Sequence, residues 1–296
     1  MPFHFKKSES PVRALRRVGQ KHIAEALRRL RRFRHPAAVH GARREIKKLR
    51  ALFRLVRGEN GRSPCRKAAK GLRRAASQLA PPRDARVMLK AFEQLTNRDA
   101  ARRFSNIGRA LQQNCRRETR RFQDDRSISV AKQALRKTNR RVAGLKIQAD
   151  GWQAIEPGLR QSYRRGRAAY ALACQQPSPE NLHAWRKRVK DFWYHLRLLC
   201  PEWPATARVR LPELKQLGEL LGEDHDLVLL KQFVAEHCAG LAGEAKPLNQ
   251  LIESCRKKIR AQVLALGGRL YAEPPAAVCA RLGRHWSVWR GEPGRH

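Results

Sequence analysis

Two histidine-led runs of basic residues carry the strongest chemical signal in this sequence. The first spans residues 40–57 and the second spans residues 183–199, and the two align without a gap. In the first run the histidine is followed by arginine and lysine at intervals of three or four residues, which places them along one face of a helix. The second run repeats this spacing, except that Trp193 stands where the first run has Arg50. Arginine binds phosphate oxygens through a planar fork of donors, and lysine binds them as a point charge. The pattern therefore indicates a site for a phosphate-rich anion.

The basic residues of each run share one helix face, and apolar residues take the adjacent face. We call the two faces the basic stripes. The first stripe consists of His40, Arg43, Lys47, Arg50 and Arg54, and the second of His183, Arg186, Lys190 and Arg197, with Arg44 and Lys187 at matching positions beside them. Glu45 and Asp191 are predicted to project elsewhere, so the stripes contain no acid. Since a solvated helix face ordinarily mixes charges of both signs, the stripes are predicted to bind an anion.

The paired histidines allow two chemical interpretations. His40 and His183 are predicted to contact the ligand, and a bound polyanion would favour their protonated form, so binding should take up protons near neutral pH. The alternative is a phosphohistidine nucleophile. No carboxylate lies nearby in sequence to orient either ring, which disfavours the alternative.

The stripes and their surroundings resemble the CHAD family, the conserved histidine α-helical domain. Two further segments, Leu79-Ala80-x-x-Arg83-Asp84 and Leu221-Gly222-x-x-His225-Asp226, resemble the family's Leu-Gly-x-x-x-Asp turn, and Phe3-His4-Phe5 precedes a basic helix as in the family. The resemblance implies an all-helical domain that binds inorganic polyphosphate through its basic surface. It also adds candidate contacts on the two lead-in helices, which are Arg13, Arg17, Arg160, Tyr163, Arg164 and Arg167.

The resemblance covers nearly the whole chain and predicts an all-α fold. One domain is expected over residues 10–290, with a first repeat at 10–147 and a second at 152–290, a short N-terminal segment at 1–9 and a basic tail at 291–296. We find no strand-like alternation of useful length. We therefore expect two pseudo-symmetric helical half-bundles, with the two histidine helices lining one central basic groove. In the second repeat, separate helices are expected at 208–221 and 225–239.

The charge of the chain points to a polyanionic partner. The 296 residues include 65 Lys and Arg against 25 Asp and Glu, a formal net charge of +40. A field of this size favours polyphosphate, nucleic acid or an anionic membrane as the partner. Aromatic residues make up only 6% of the chain, which is low for a protein that stacks bases of single strands.

The sequence lacks the motifs of several enzyme classes. There is no GxxxxGK[ST] phosphate loop and no HExxH zinc motif. The seven cysteines form no CxxC pair, which is typical of reduced thiols in the cytoplasm, and no metal or cofactor is expected. No apolar run approaches the ~18 residues of a transmembrane helix. Glu223, Asp224 and Asp226 are interpreted as structural acids at a helix start. Asp84 and Asp226 are acids inside a cationic field, and a further role for these two stays open.

These observations predict non-catalytic binding of inorganic polyphosphate. By the family resemblance, the protein is expected in the cytoplasm on polyphosphate granules, where it could cooperate with a triphosphate-tunnel hydrolase. Two alternatives remain open from the residues. One is a nucleic-acid-binding basic helical protein, and the other is a histidine-dependent phosphotransferase or polyphosphatase.

Overall fold

The structure is a computed structural model that describes residues 3–34, 36–56, 63–79, 81–96, 102–124, 126–145, 150–199, 210–238 and 240–291. Within these ranges every regular element is a helix, which confirms the all-α prediction. The helices are α1 (Pro11–Arg31), α2 (Pro36–Leu55), α3 (Ser63–Gln78), α4 (Pro81–Leu95), α5 (Ser105–Asp124), α6 (Ser127–Ala143), α7 (Glu156–Gln175), α8 (Pro179–Leu199), α9 (Arg210–His237), α10 (Ala242–Leu270) and α11 (Pro275–Arg290). A short 3₁₀ helix, Gly151–Ala154, precedes α7.

Serine–proline pairs begin two of these helices. The Ser10 hydroxyl accepts a hydrogen bond from the Arg13 amide at 3.4 Å, and α1 starts at the following proline. The Ser178 hydroxyl accepts one from the Asn181 amide at 3.2 Å ahead of α8. A serine cap satisfies an amide that has no partner within the helix, and proline has no amide hydrogen to lose at the first position. These local signals start the helices where the sequence predicts them.

The two histidine helices, α2 and α8, lie against each other near the middle of the fold. The helix α2 also packs on α1, α3 and α7, and α8 packs on α7 and α9. The apolar faces predicted for both helices are confirmed as core, because their side chains are buried. These residues are Ile46, Leu49, Phe53, Val56, Val189, Phe192, Leu196 and Leu199. The apolar face of each helix therefore fixes where its basic stripe points.

Helices from the first and second repeats also meet away from α2 and α8. The helix α4 packs against α9, and α5 contacts α10. The buried apolar residues form one cluster that extends from Phe3 to Trp286. Among the described helices, none is long and apolar enough to cross a bilayer.

The N-terminal segment is tied to the bundle. Phe3 and Phe5 are buried, and the Phe5 amide donates a hydrogen bond to the Leu198 carbonyl at 2.9 Å. The ring of Phe3 meets Tyr194 edge-on, with 5.9 Å between ring centroids. The segment therefore anchors the end of α8 to the start of the chain.

The prediction of two helices at 208–221 and 225–239 is wrong. The structure has one helix, α9, of 28 residues through this region. In the first repeat Pro81 and Pro82 stand at the start of α4 and separate it from α3, because proline cannot continue a helix. The second repeat has Glu223 and Asp224 at the matching positions, and both keep their amide hydrogens; the residue before them is Gly222. Glycine inside a helix costs about 1 kcal/mol relative to alanine, which is not enough to break α9.

Candidate anion-binding site

Cations from α2 and α8 meet across the interface of these helices. Arg50 on α2 is half-buried beside Arg54, and Arg73 of α3 lies close enough for its charge to repel the Arg50 guanidinium. Burial lowers the pKa of Arg50, and the charges of Arg54 and Arg73 lower it further. Burial also lowers the pKa of Lys187 on α8, with Arg188 and Arg50 adding to the effect. The first stripe therefore faces cations of α8 at close range.

A second contact of like charges lies farther along the same interface. Lys48 on α2 donates hydrogen bonds to Glu45 at 3.0 and 3.2 Å. Its pKa is nevertheless lowered, by burial first and then by the charges of Arg44 and Arg197, although Glu45 opposes the shift. Arg197 belongs to the second stripe. We call this set of cations between α2 and α8 the basic seam, and it comprises Arg44, Lys48, Arg50, Arg54, Lys187, Arg188 and Arg197.

Two acids, Glu45 and Asp191, pair with cations of the basic seam, although each lies off the basic stripe of its own helix. Asp191 is buried between the helices, accepts a hydrogen bond from Arg54, and lies 3.9 Å from Arg188. Burial raises the pKa of Asp191 even though the neighbouring arginines oppose the rise. Burial alone would also raise the pKa of Glu45, but hydrogen bonds from His22 and Lys48 lower it to about 2. A helical wheel places these acids off the stripes, yet packing brings the neighbouring cations to them.

Stripe residues also line a cavity of about 1110 Å³ among α2, α4, α5, α8, α9 and α10. His40 of the first stripe and Arg186 and Lys190 of the second stripe contribute to its wall. The helix α4 adds Arg86 and Lys90. The wall also contains apolar side chains and four acids, which are Glu93, Glu219, Glu223 and Asp226. The cavity therefore brings parts of both stripes together, while a central basic groove lined by the two histidine helices stays a prediction.

Two glycines of α9 make room for the second stripe. A Cβ at Gly218 would lie 2.8 Å from the Cε and Nζ atoms of Lys190, and a Cβ at Gly222 would lie 2.8 Å from Nη2 of Arg186. Burial, followed by the charges of Arg186 and Lys215, lowers the pKa of Lys190 to about 8. The family resemblance predicts a turn at Leu221-Gly222, whereas here this pair lies inside α9 and Gly222 admits Arg186.

The second histidine and the tryptophan of α8 have well-defined neighbours. The rings of His183 and His225 are 4.0 Å apart between centroids and tilted by 33°. Trp193, which takes the place of Arg50 in the second stripe, lies under two cations. Nζ of Lys190 is 5.3 Å and Cζ of Arg197 is 4.8 Å from its ring centroid. This cation–π arrangement stabilises both cations. It also covers the Trp193 ring, which is therefore not available to stack on a base.

The structure gives two lead-in residues a structural role. Tyr163 is fully buried, and its hydroxyl donates to the carbonyls of Leu270 and Glu273, both at 3.1 Å. Arg167 donates to the Tyr271 carbonyl at 3.2 Å. We leave Tyr163 out of the proposed site because a ligand cannot reach a fully buried side chain.

The remaining lead-in residues lie on α1 and α7. Arg17 forms an ion pair with Glu9 and fixes the N-terminal segment. Arg160 forms an ion pair with Glu156 one turn earlier on α7. Arg17 and Arg160 therefore each form an ion pair with an acid that is close in sequence. Arg13 on α1 and Arg164 on α7 are exposed.

The described residues contain no cluster of three or more histidine, cysteine, aspartate or glutamate side chains that could hold a metal ion. Residues that sequence reasoning missed are Arg73, Arg86 and Lys90, together with Gly218. The spacing of Gly218 and Gly222, four residues apart on one helix face, is the signal that could have located the contact with α8.

Comparison with known proteins places these features in a family. No curated protein shows a significant match to this sequence. The crystal structure of the CHAD domain from the plant Ricinus communis superposes with a TM-score of 0.58, covering 95% of this chain and 93% of that one at 16% identity. At that identity the likeness shows the fold. The CHAD domain family matches residues 14–235, and the chain therefore belongs to the CHAD domain family.

Proposed function

We propose that the protein binds inorganic polyphosphate at the basic seam and the adjoining cavity, without transforming it. The observation that carries the proposal is the set of seven cations that α2 and α8 hold close together, whose mutual repulsion is only partly offset by Glu45 and Asp191. Burial and like charge lower the pKa of Arg50, Lys48 and Lys187. An anion between the helices would relieve this repulsion, because each phosphate neutralises a charge that the fold keeps near another.

The character of the seam favours polyphosphate over nucleic acid as the ligand. Polyphosphate is a flexible chain with roughly one charge per phosphate and no bases. The aromatic rings of Phe53 and Phe192 are buried, and Trp193 lies under Lys190 and Arg197. Binding of single strands relies on exposed rings that stack on bases. The seam instead supplies rigidly placed guanidinium and ammonium groups, which match a bare phosphate chain.

The same proposal extends to the cellular role. Binding to polyphosphate would bring the protein to polyphosphate granules in the cytoplasm and near enzymes that act on polyphosphate, such as triphosphate-tunnel hydrolases. Its CHAD family membership supports this extension. In this proposal His40 and His183 bind the anion as imidazolium groups and do not act as nucleophiles.

Direct titration with long-chain polyphosphate tests the binding proposal. We expect saturable binding that weakens steeply as salt concentration rises, because the ligand releases its counterions when cations of the protein replace them. We also expect the affinity to fall as the pH rises through about 8, where Lys190 loses its proton. Only the protonated amine of Lys190 attracts phosphate, so the loss of affinity follows the deprotonated fraction of this amine. Affinity that is independent of both salt and pH, or no binding at all, would contradict the proposal.

Incubation with polyphosphate tests the absence of chemistry. With or without divalent metal and nucleotide, the protein should release no phosphate and should form no acid-labile phosphoprotein. Phosphate release is measured by colorimetric assay, and chain length by gel electrophoresis. Turnover that is abolished by His40→Ala or His183→Ala would make the protein an enzyme and would overturn the non-catalytic proposal.

A further inference from the structure

A second basic surface lies on α3 and α6, outside the seam and the cavity. Neither helix contains an aspartate or glutamate between its first and last residues. Each contains five basic residues, and the two helices pack side by side. The basic residues are Arg66, Lys67, Lys70, Arg73 and Arg74 on α3, and Lys132, Arg136, Lys137, Arg140 and Arg141 on α6.

Close packing makes the outer sides of these helices one continuous surface. The backbone of α3 at Gly71 approaches Thr138 of α6 so closely that a Cβ there would overlap the threonine hydroxyl. Nη1 of Arg141 donates to the Lys67 carbonyl at 3.1 Å. Leu72 and Leu135 are buried beneath. Seven of the exposed cations define what we call the α3–α6 basic face: Arg66, Lys67, Lys70, Arg73, Arg74, Lys137 and Arg140.

This face adjoins the basic seam. Nη1 of Arg43 on α2 donates to the Ala76 carbonyl of α3 at 3.1 Å, so the first stripe lies directly against α3. Arg73 is close enough to Arg50 that its charge helps to lower the pKa of the Arg50 guanidinium. Arg73 therefore belongs to the α3–α6 basic face and also borders the seam, which makes the two cationic surfaces neighbours.

The composition of the face limits what it can bind. A basic helix face is commonly exposed to solvent without binding a ligand, but such a face usually carries acidic residues between its basic ones. The helices α3 and α6 contain no acidic residue. Apart from the bases, the exposed side chains described on α3 and α6 are serine, glutamine and alanine. Membrane-surface helices need large apolar groups, and single-strand binders need exposed aromatic rings. The ligand that remains is a chain or array of phosphates bound by charge.

We propose that the α3–α6 basic face is a second segment of the polyphosphate site, over which a long chain continues after it leaves the seam at Arg73. The inference rests on the proposed function. The cations of α3 run from Arg66 to Arg74, which extends the cationic track by roughly 12 Å along the helix. A chain already held at the seam meets this face at high effective concentration, so weak individual contacts add to its affinity. A short chain occupies the seam alone and gains nothing from the face.

Two charge-matched variants test this proposal. The face variant combines Lys67→Ala, Lys70→Ala, Lys137→Ala and Arg140→Ala. It keeps Arg73, because this residue borders the seam, and Arg141, because its guanidinium donates to the Lys67 carbonyl. The control variant removes the same number of exposed lysines and arginines from α10 and α11. Its substitutions are Lys246→Ala, Lys257→Ala, Lys258→Ala and Arg284→Ala, all at exposed positions. Circular dichroism checks that both variants keep the helical content of the wild type.

The dissociation constants for long-chain polyphosphate and tripolyphosphate are measured at one salt concentration. We expect the face variant to lose at least about tenfold in affinity for the long chain, with a shallower salt dependence. Its affinity for tripolyphosphate should stay within about twofold of wild type, as should both affinities of the control, because distant exposed charges are screened. A version with Lys67→Arg, Lys70→Arg and Lys137→Arg should bind the long chain like wild type.

Several outcomes would overturn the proposal. Equal losses in the face and control variants would mean that only net charge matters. Equal losses for long and short chains in the face variant would mean that the face is not a separate segment. Reduced binding of duplex DNA with unchanged binding of long polyphosphate would assign the face to nucleic acid. If wild-type protein binds neither polyphosphate, the proposed function itself fails, which is distinguishable from failure of the face alone.

Discussion

Replacing Arg44, Lys47 and Lys187 together with alanine is expected to weaken polyphosphate binding about a hundredfold. That factor corresponds to about 1 kcal/mol for each lost charge–phosphate contact. Arg44 and Lys187 belong to the basic seam and Lys47 to the first stripe, and all three side chains are exposed, so their loss creates no cavity. Alanine is the best helix former, and α2 and α8 should keep their helical circular dichroism. The measurement is equilibrium binding of long-chain polyphosphate at physiological salt.

The choice of residues follows from the packing. Arg54 is unsuitable, because its removal would strip buried Asp191 of a hydrogen-bonded partner and mix a folding defect with a binding defect. Arg281 and Arg290 of α11 are poor control positions for a related reason, since Arg281 donates to Glu273 and Arg290 donates to the carbonyls of Lys7 and Glu9.

A sounder control removes three exposed lysines of α10, with Lys246→Ala, Lys257→Ala and Lys258→Ala. This control removes the same net charge from outside the basic seam. Equal losses of affinity in the control and in the seam variant would reject a defined seam and leave a diffuse polycation.

Gly158→Ala is expected to lower the free energy of unfolding by about 3 kcal/mol, the upper end of what overpacking costs. Near its start, α7 crosses the last turn of α2 at this glycine. A Cβ at position 158 would lie 2.5 Å from the carbonyl carbon of Leu55 and 2.8 Å from the carbonyl oxygen of Arg54. These are backbone atoms, so relief requires the helices to separate. Denaturant unfolding followed by circular dichroism measures the loss.

The matched control for that substitution is Gly243→Ala. This glycine is in the first turn of α10, and a Cβ at this position would meet no neighbouring atom within 4 Å. We expect the change to leave stability the same or to raise it by a few tenths of a kcal/mol, since alanine restricts the unfolded chain. If Gly158→Ala unfolded at the same denaturant concentration as wild type, the close crossing of α7 over α2 would be wrong.

Helical periodicity was enough to predict the framework. Ile46, Leu49 and Phe53 recur at helical spacing and are buried, and the Ser10 and Ser178 caps lie where α1 and α8 begin. These features depend on residues close together in the chain. A helical wheel therefore places them correctly without knowledge of any other helix.

The contents of the site depend on contacts that periodicity cannot supply. Asp191 lies off the second stripe on its own helix, yet it pairs with Arg54, which is distant in sequence. The spacing of Gly218 and Gly222 marks one face of α9 for a close contact, but only the packing shows that Lys190 lies against Gly218. A helical wheel gives the direction of a side chain relative to the axis of its own helix. It does not show which other helix lies in that direction. For the same reason the sequence could not show that α4 contributes both cations and acids to the cavity.

Direct competition tests the central claim that the seam is built for polyphosphate. A fixed concentration of protein is saturated with labelled long-chain polyphosphate at physiological salt, and unlabelled polyphosphate, duplex DNA or single-stranded RNA is added at matched phosphate concentration. Any polycation of this charge binds polyphosphate, DNA and RNA at low salt. The competition therefore discriminates between these ligands only at physiological salt. We expect unlabelled polyphosphate to displace the label at far lower phosphate concentration than either nucleic acid. Displacement by DNA or RNA at equal or lower concentration would contradict the claim.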